Sequence, residues 1–285
     1  MQQPQSAGPR IAFVGFGEAG QAFCGGLQPQ AARAYDRAPL ADRYAAAGVA
    51  GGSDPAAALE GSGLVFCLVT ADQAVAAAET CAPHLTPAAL WLDGNSCAPA
   101  TKRRAAAVIA AAGGRYVDMA IMAPVHPLRH RTPVLLAGPD ACAAAAVLDT
   151  LGMAASVVAG PVGAASAIKM IRSVMVKGVE ALTAECFLAA RRAGVDAAVI
   201  GSLVASDPGI DWPAQGAYNL ERMMVHGARR AAEMAEVAAT LRELGLPDRM
   251  ARATMDWQAQ IAALGLAAGP AVLDERADRI LRALE

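Results

Sequence analysis

Ile11-Ala-Phe-Val-Gly-Phe-Gly-Glu-Ala-Gly20 decides the fold of this chain. An apolar run with strand character enters Gly15-x-Gly17-x-x-Gly20, and a helical pattern follows. Each glycine has its own task in that context. Gly15 allows the tight turn out of the strand, Gly17 lets the backbone approach a pyrophosphate, and Gly20 lets the helix pack closely on the sheet. The helix start offers free N–H groups and the positive end of its dipole to phosphate. Gly15, Phe16, Gly17, Glu18, Ala19 and Gly20 are therefore candidate dinucleotide contacts. Tyr35-Asp36 follows at the expected distance of about twenty residues.

Outward from this loop, short apolar runs alternate with helical stretches. Strands are expected at 11–15, 32–36, 64–70, 90–93, 116–120, 134–138 and 155–159. Helices are expected at 17–27, 40–47, 72–81, 99–112 and 140–151. Continuous apolar strands separated by helices mean a doubly wound, mostly parallel α/β sheet of the Rossmann type. After Gly160-Pro161 the strand signal stops. One long helical pattern runs from Gly163 to Ala193, and further helices are expected at 197–203, 217–244, 248–264 and 273–284. The expected organisation is a nucleotide-binding domain over 1–160 and an all-helical domain over 161–285, opened by a long helix.

Size and composition narrow the function. The chain has 285 residues, and hydrophobic residues make up 55% of it, enough for two cores. A formal charge of −2 gives no basic excess for a nucleic acid or an anionic membrane. Cys24, Cys67, Cys81, Cys97, Cys142 and Cys186 show no CxxC spacing and read as reduced small hydrophobes in a cytoplasmic protein. No clustered metal ligands are evident, so no metal is expected. No secretory signal is visible at the start of the sequence. The uncharged stretch Thr150–Ile168 approaches the length of a membrane span, but Gly160-Pro161 interrupts it.

Asp36 ends the second strand, where a carboxylate accepts the ribose hydroxyls of NAD and repels the extra phosphate of NADP. Arg37 follows at once and suits that phosphate instead. NAD is favoured and NADP stays open. Ligands of open α/β sheets sit beyond the carboxyl ends of strands. Val69-Thr70 and Asn95-Ser96 stand there and are candidate contacts to ribose or nicotinamide.

Lys169 lies early in the long helix among small apolar residues, and Ser173 shares its face four residues on. Burial disfavours a charged lysine, which suits a general base near neutral pH. Gly160-Pro-Val-Gly163-Ala-Ala165-Ser-Ala-Ile-Lys169-Met-Ile-Arg-Ser173, taken with the N-terminal glycine loop, resembles the β-hydroxyacid dehydrogenase family. That family includes 3-hydroxyisobutyrate dehydrogenase and 6-phosphogluconate dehydrogenase. Its catalytic motif is G-x-x-G-x-G-x-x-x-K-x-x-x-N, and Asp118-Met-Ala-Ile-Met122-Ala123 occupies a second motif, D-x-P-V-S-G. The resemblance implies that Lys169 takes or gives the hydroxyl proton while hydride passes to or from the nicotinamide. It also implies a homodimer. Three positions depart from the pattern: Met122 replaces the substrate-binding serine, Ser173 the asparagine, and Ala165 the third glycine. His226-Gly-Ala-Arg-Arg-Ala-Ala-Glu233-Met is similar to a divergent branch whose helical domain is of unknown function.

His226, Arg230 and Glu233 fall on one helix face with Arg229 beside them. Arg230 there could grip a substrate carboxylate with two parallel bonds, and Trp212 could line the pocket. The candidate substrate residues are thus Met122, Ser173, His226, Arg230 and Trp212. Lys177 is expected to be solvated or structural, and Thr101-Lys-Arg-Arg104 to be a wet surface. Arg129 or Arg131 could reach substrate from the loop after the second motif. The expected function is an NAD(P)-dependent dehydrogenase or reductase of a small hydroxy or oxo acid. An imine reductase and a nucleotide-binding protein without catalysis remain the alternatives.

Overall fold

The computed structural model describes residues 10–29 and 31–285. Eight strands form one sheet: β1 (Ile11–Val14), β2 (Arg33–Tyr35), β3 (Ala50–Gly52), β4 (Leu64–Cys67), β5 (Leu90–Asp93), β6 (Arg115–Ile121), β7 (Val134–Ala137) and β8 (Ala155–Val157). Their order is β3-β2-β1-β4-β5-β6-β7-β8. All neighbours are parallel except β6 and β7, which a loop over 122–133 joins antiparallel. The strand order reverses between β1 and β4, which is the switch point where such sheets bind ligands.

Strands β1, β4 and β5 are buried along their whole length because helices cover both faces. Alternate side chains feed two cores. Phe13, Phe66, Leu92 and Met119 pack with Phe23 of α1 (Glu18–Leu27) and Leu148 of α6 (Ala141–Thr150). Phe13 and Phe66 stack at 5.5 Å, and Phe23 meets Phe66 edge-on at 5.9 Å. On the other face Val14, Val65 and Trp91 pack with Ala78 of α4 (Ala74–Cys81) and with Ala105 and Ile109 of α5 (Pro99–Ala111).

Helix α2 (Ala41–Ala47) is as expected, but β3 and α3 (Pro55–Leu59) are not. β3 is a three-residue, exposed edge strand of Ala and Gly, so no apolar run marks it. α3 is one turn long, although Asp54 caps it by accepting from Ala56 N–H at 2.9 Å and Pro55 opens it.

The chain divides into two compact units, up to Met170 and from Ile171. The boundary lies inside α7 (Ala164–Ala193), ten residues later than the sequence suggests. The second unit continues with α8 (Asp196–Ser206), α9 (Trp212–Glu243), α10 (Arg249–Ala263) and α11 (Leu273–Ala283). α9 starts five residues before the expected 217. Asp211 caps it through Ala214 N–H at 3.0 Å, with Pro213 in the first turn. Phe187, Leu188, Leu220, Met223, Ile261 and Ile280 form the core of this unit.

Four cysteines are buried, while Cys142 and Cys186 are exposed, and none is bonded to another. Among the described residues no helix is long and apolar enough to cross a membrane. The uncharged stretch 150–168 is β8, a turn and the start of α7.

Candidate functional site

The glycine loop forms as its sequence requires. Gly15 leaves β1 with φ +86°, and a Cβ there would stand 2.6 Å from the Leu68 carbonyl oxygen. A side chain at Gly20 would fall 2.5 Å from the Gly15 carbonyl oxygen, so α1 sits directly on the turn. Gly17 is different: a Cβ there would meet nothing within 4 Å. That open space lies at the N-terminus of α1, whose Glu18, Ala19 and Gly20 N–H groups have no intrahelical partner and no side-chain cap. Gln21 steadies the loop by donating to the Phe16 and Gly17 carbonyls, both at 3.1 Å. Gln21, in the first turn of α1, is a residue that motif reasoning passes over.

Asp36 is brought to the same place. Its Oδ2 accepts the Phe16 N–H at 2.8 Å, and its Oδ1 accepts the Ala38 N–H at 3.0 Å. The carboxylate is thus fixed at the end of β2 against the glycine loop, and Arg37 beside it is exposed.

Beyond β4, Val69 is half-buried and Thr70 exposed. Hydrogen bonds from Thr70 and then Gln73 hold the neighbouring Asp72 carboxyl below its ordinary range. Beyond β5, Asn95 is 4% exposed. Its N–H donates to Asp93 Oδ1 at 3.0 Å and its Nδ2 to Cys67 Sγ at 3.4 Å. Its Oδ1 is buried with no partner among the described residues. An orphaned acceptor at a strand's carboxyl end suits a ribose hydroxyl or a carboxamide N–H. Ser96 follows, half-buried. Open space at Gly17, free helix N–H groups and this acceptor together fit a bound dinucleotide.

The two motifs of the catalytic end, 45 residues apart, meet at one carboxylate. Asp118 Oδ2 accepts from Gly163 N–H at 3.0 Å, Ser166 N–H at 3.0 Å and Ser166 Oγ at 3.2 Å. It caps α7 from another strand and satisfies N–H groups that the helix leaves unpaired. Ala165 is fully buried against Ala120 and Ala137, and Met122 packs on the same patch with Ala164. Met122 thus lies beside the first turn of the helix that carries Lys169, which is half-buried.

Lys102 corrects the expectation of a wet surface at 101–104. It is completely buried, with Nζ 2.9 Å from Asp93 Oδ1 and 3.7 Å from Asp118 Oδ1. Burial alone would lower its pKa, but Asp93 and Asp118 outweigh that and raise it to about 12. Tyr116 donates to Asp93 Oδ2 at 2.6 Å. Burial first, and then Asp93, push its phenol well above the ordinary value.

Arg129 and Arg131 lie on the loop between β6 and β7. With His130 and Leu128 they line a cavity of about 310 Å³ against Gly25, Gly26 and Gln28, at the far end of α1 from the glycine loop.

In the second unit two of the expected substrate residues, Ser173 and Arg230, join a buried polar ladder. Lys177 is buried, as a structural lysine and not a solvated one. Its Nζ lies 2.9 Å from Glu233 Oε2 and donates to Ser173 Oγ at 3.1 Å. Arg229, half-exposed, pairs with Glu233 Oε1 at 2.8 Å. Arg230 corrects the picture of an open carboxylate clamp. Its Nε donates to Glu180 Oε2 at 2.9 Å and its Nη2 to Glu180 Oε1, so the fork is closed on a carboxylate of the protein. Gln258 Nε2 adds a bond to Glu180 Oε2 at 2.8 Å. His226 is half-buried on the same helix. Trp212 packs on the helical core.

Residues 10–163 match the family described as the NAD binding domain of 6-phosphogluconate dehydrogenase. The chain belongs to that family. Residues 190–261 match a domain of unknown function, DUF1932. A conserved hypothetical protein from Sinorhizobium meliloti 1021 is 38% identical, with 98% of each chain covered and a TM-score of 0.74. The conserved protein MTH1747, of unknown function and described as structurally similar to 3-hydroxyacid dehydrogenases, is 29% identical. The match covers 90% of this chain and 100% of that one, with a TM-score of 0.67. The 3-hydroxyisobutyrate dehydrogenase of Mycobacterium tuberculosis, solved with L-serine, shares the fold at 19% identity, 98% and 99% coverage and a TM-score of 0.73. No curated protein matches the sequence.

Against the family pattern, the three departures fall in packed positions. The Ala165 methyl fills the contact with Ala120 and Ala137, and Met122 extends that apolar patch. Ser173 is buried and accepts from Lys177. As a member of this 6-phosphogluconate dehydrogenase-type family, the chain carries an NAD(P)-binding domain related to 3-hydroxyacid dehydrogenases.

Proposed function

We propose that this protein is an NAD(P)-dependent dehydrogenase or reductase of a small hydroxy or oxo acid, with Lys169 as its general acid/base. The observation that carries this reading is the Asp118 carboxylate. It ties the start of the lysine's helix to the strand end that presents Met122, so the lysine's anchor is built into the sheet. The nicotinamide, when bound, supplies or accepts the hydride. Lys169 Nζ takes the hydroxyl proton in the oxidative direction and returns one in the reductive direction. The Gly15–Gly20 loop and α1 N–H groups bind the pyrophosphate, Asp36 the ribose, and Asn95 Oδ1 a donor at the nicotinamide end. Asp36, held by two backbone N–H groups, supports NAD over NADP. Met122, in place of a hydroxyl, supports a substrate less polar at that end.

The test is oxidation and reduction with NAD(H) and NADP(H) against a panel of hydroxy and oxo acids, run beside Lys169→Ala. Turnover that falls by at least ~10² in the variant, with cofactor affinity intact, is expected. Unchanged turnover in the variant would remove Lys169 from the chemistry.

We also propose that the protein is a homodimer. Ile171, Met175, Val179 and Leu182 are 49%, 69%, 41% and 55% exposed, and their spacing of four, four and three puts them on one face of α7. A two-fold axis would set that stripe against its own copy. Light scattering should give a dimer for the native chain and a monomer for Met175→Glu/Leu182→Glu. A native monomer would refute it.

A further inference from the structure

Two acids stand side by side at the carboxyl end of the sheet. Asp93 closes β5 and is in register with Asp118 of β6, and both are fully buried. Neighbouring buried carboxylates need a compensating charge. Lys102 brings it from α5, and also donates to the Asp93 carbonyl oxygen at 2.6 Å. Each acid then holds a different part of the proposed site. Asp93 fixes the Asn95 turn through the Asn95 N–H at 3.0 Å. Asp118 fixes the start of α7 through Gly163 and Ser166. Lys169 is only three residues past Ser166, less than one helical turn, so a shift of the capped turn reaches it directly.

We propose that Lys102 is a positioning residue that sets the nicotinamide end of the cofactor site and the acid/base lysine relative to each other. Its ammonium lies between the carboxylate that orients Asn95 and the carboxylate that anchors the helix of Lys169. Hydride and proton must reach the same substrate carbon and oxygen together, and a displacement of about 1 Å costs such a reaction up to ~10²-fold. A neutral side chain at 102 would leave the two acids repelling each other and would loosen both ends at once. The naming of these two ends rests on the proposed function; the brace itself is a matter of the geometry.

The experiment compares Lys102→Met, Asp118→Asn and Asp93→Asn with the native protein in three measurements. Hydrogen exchange is followed over 94–98 and 160–170. NADH affinity is measured by titration. Steady-state rates and primary deuterium isotope effects are measured on whichever panel acid turns over. Lys102→Met should raise exchange at both segments roughly ten-fold or more beyond any change at 74–81 and 141–150. Asp118→Asn should loosen 160–170 alone, and Asp93→Asn 94–98 alone. The lysine variant should lose about 10² in kcat with KM within a few-fold and a changed isotope effect, as expected of misplacement. Uniform loosening of the whole unit, or an unchanged 160–170, would overturn the proposal and leave Lys102 a plain stability element. If Lys102→Met does not fold, the two carboxylate variants decide it, since both loosening the same segments would refute a brace with two separate ends. If no acid is turned over by the native protein, the proposed function fails, while exchange and NADH titration still judge the brace.

Discussion

Both halves of the molecule bury a lysine, one between two acids and the other against one, and the two lysines are wired differently. Lys102 faces Asp93 and Asp118, whose carboxylates also accept from backbone N–H groups and a phenol. Lys177 faces Glu233, and the neighbouring Arg230 faces Glu180, whose other partners are side chains on α9 and α10. In the α/β unit the charges hold loops and a helix start. In the helical unit they hold one helix face to another. A side-chain pair can be exchanged for apolar packing, whereas a carboxylate that satisfies N–H groups cannot, because those donors stay behind unpaired.

The largest effect expected from this contrast is that of Lys102→Met. It strands two buried carboxylates, and a loss of about 3–5 kcal/mol follows. Trp91 lies in the sheet, while Trp212 and Trp257 lie in the helical unit. Urea unfolding in a Trp212→Phe/Trp257→Phe background therefore reports the first unit alone. A change under 1 kcal/mol would mean that the acids protonate at little expense. Arg230→Met comes next, at about 3 kcal/mol, because Glu180 loses its bidentate partner. The triple change Arg230→Met/Glu180→Leu/Gln258→Leu should return to within about 1 kcal/mol of the native protein. Lys102→Met/Asp93→Leu/Asp118→Leu should not, since the N–H groups of Asn95, Gly163 and Ser166 would have no acceptor. Recovery of both triples would erase the distinction between the two regions.

The same contrast shows what the sequence carried openly. Strands β1, β4 and β5 are legible because a strand covered on both faces must be apolar throughout. The glycine loop is legible because close approach admits nothing larger. Asp93 closes one such strand and Asp118 lies inside β6; both are fully buried and so announce a hidden partner. Lys102 is concealed in Thr101-Lys-Arg-Arg104, which looks like a solvated run. Phase would have found it: Lys102, Ala105 and Ile109 recur on one face, and with Pro99 these are the buried residues of α5. Lys177 is likewise in phase with Ala184 and Leu188, and Arg230 with Met223, Met234 and Val237. Arg229 falls off that phase and is half-exposed. The Asp118 cap could not be foreseen, because its partners lie 45 and 48 residues along the chain.

A smaller effect separates the units by pH. The folded Lys102 pKa is raised to about 12 against an ordinary value of 10.5, by acids that overcome its burial. A raised pKa contributes stability fully below the unfolded value, and that contribution is lost as pH climbs through the folded one. Tyr116 has the same sign, its phenol also raised. Between about pH 10 and 12 the first unit should lose on the order of 2 kcal/mol. The loss should be visible in Trp91 emission and tyrosinate absorbance, and in Lys102→Met only the part due to Tyr116 should remain.

The smallest stability effect belongs to Gly17→Ala, and it separates a site residue from a structural one. Gly15 and Gly20 face backbone at 2.6 and 2.5 Å, so alanine there forces the turn apart. Gly17 has φ −74° and ψ −155°, an extended conformation open to any residue, and its Cβ would meet no protein atom within 4 Å. The fold has no use for a glycine at this position. Gly17→Ala should leave unfolding within about 0.5 kcal/mol of the native value. NADH affinity should nevertheless fall measurably, because in the proposed binding mode the added methyl would stand where the pyrophosphate meets the α1 N-terminus. Equal affinity in native and variant proteins would show that the phosphates keep away from this turn, and the cofactor's path across the switch point would have to be redrawn.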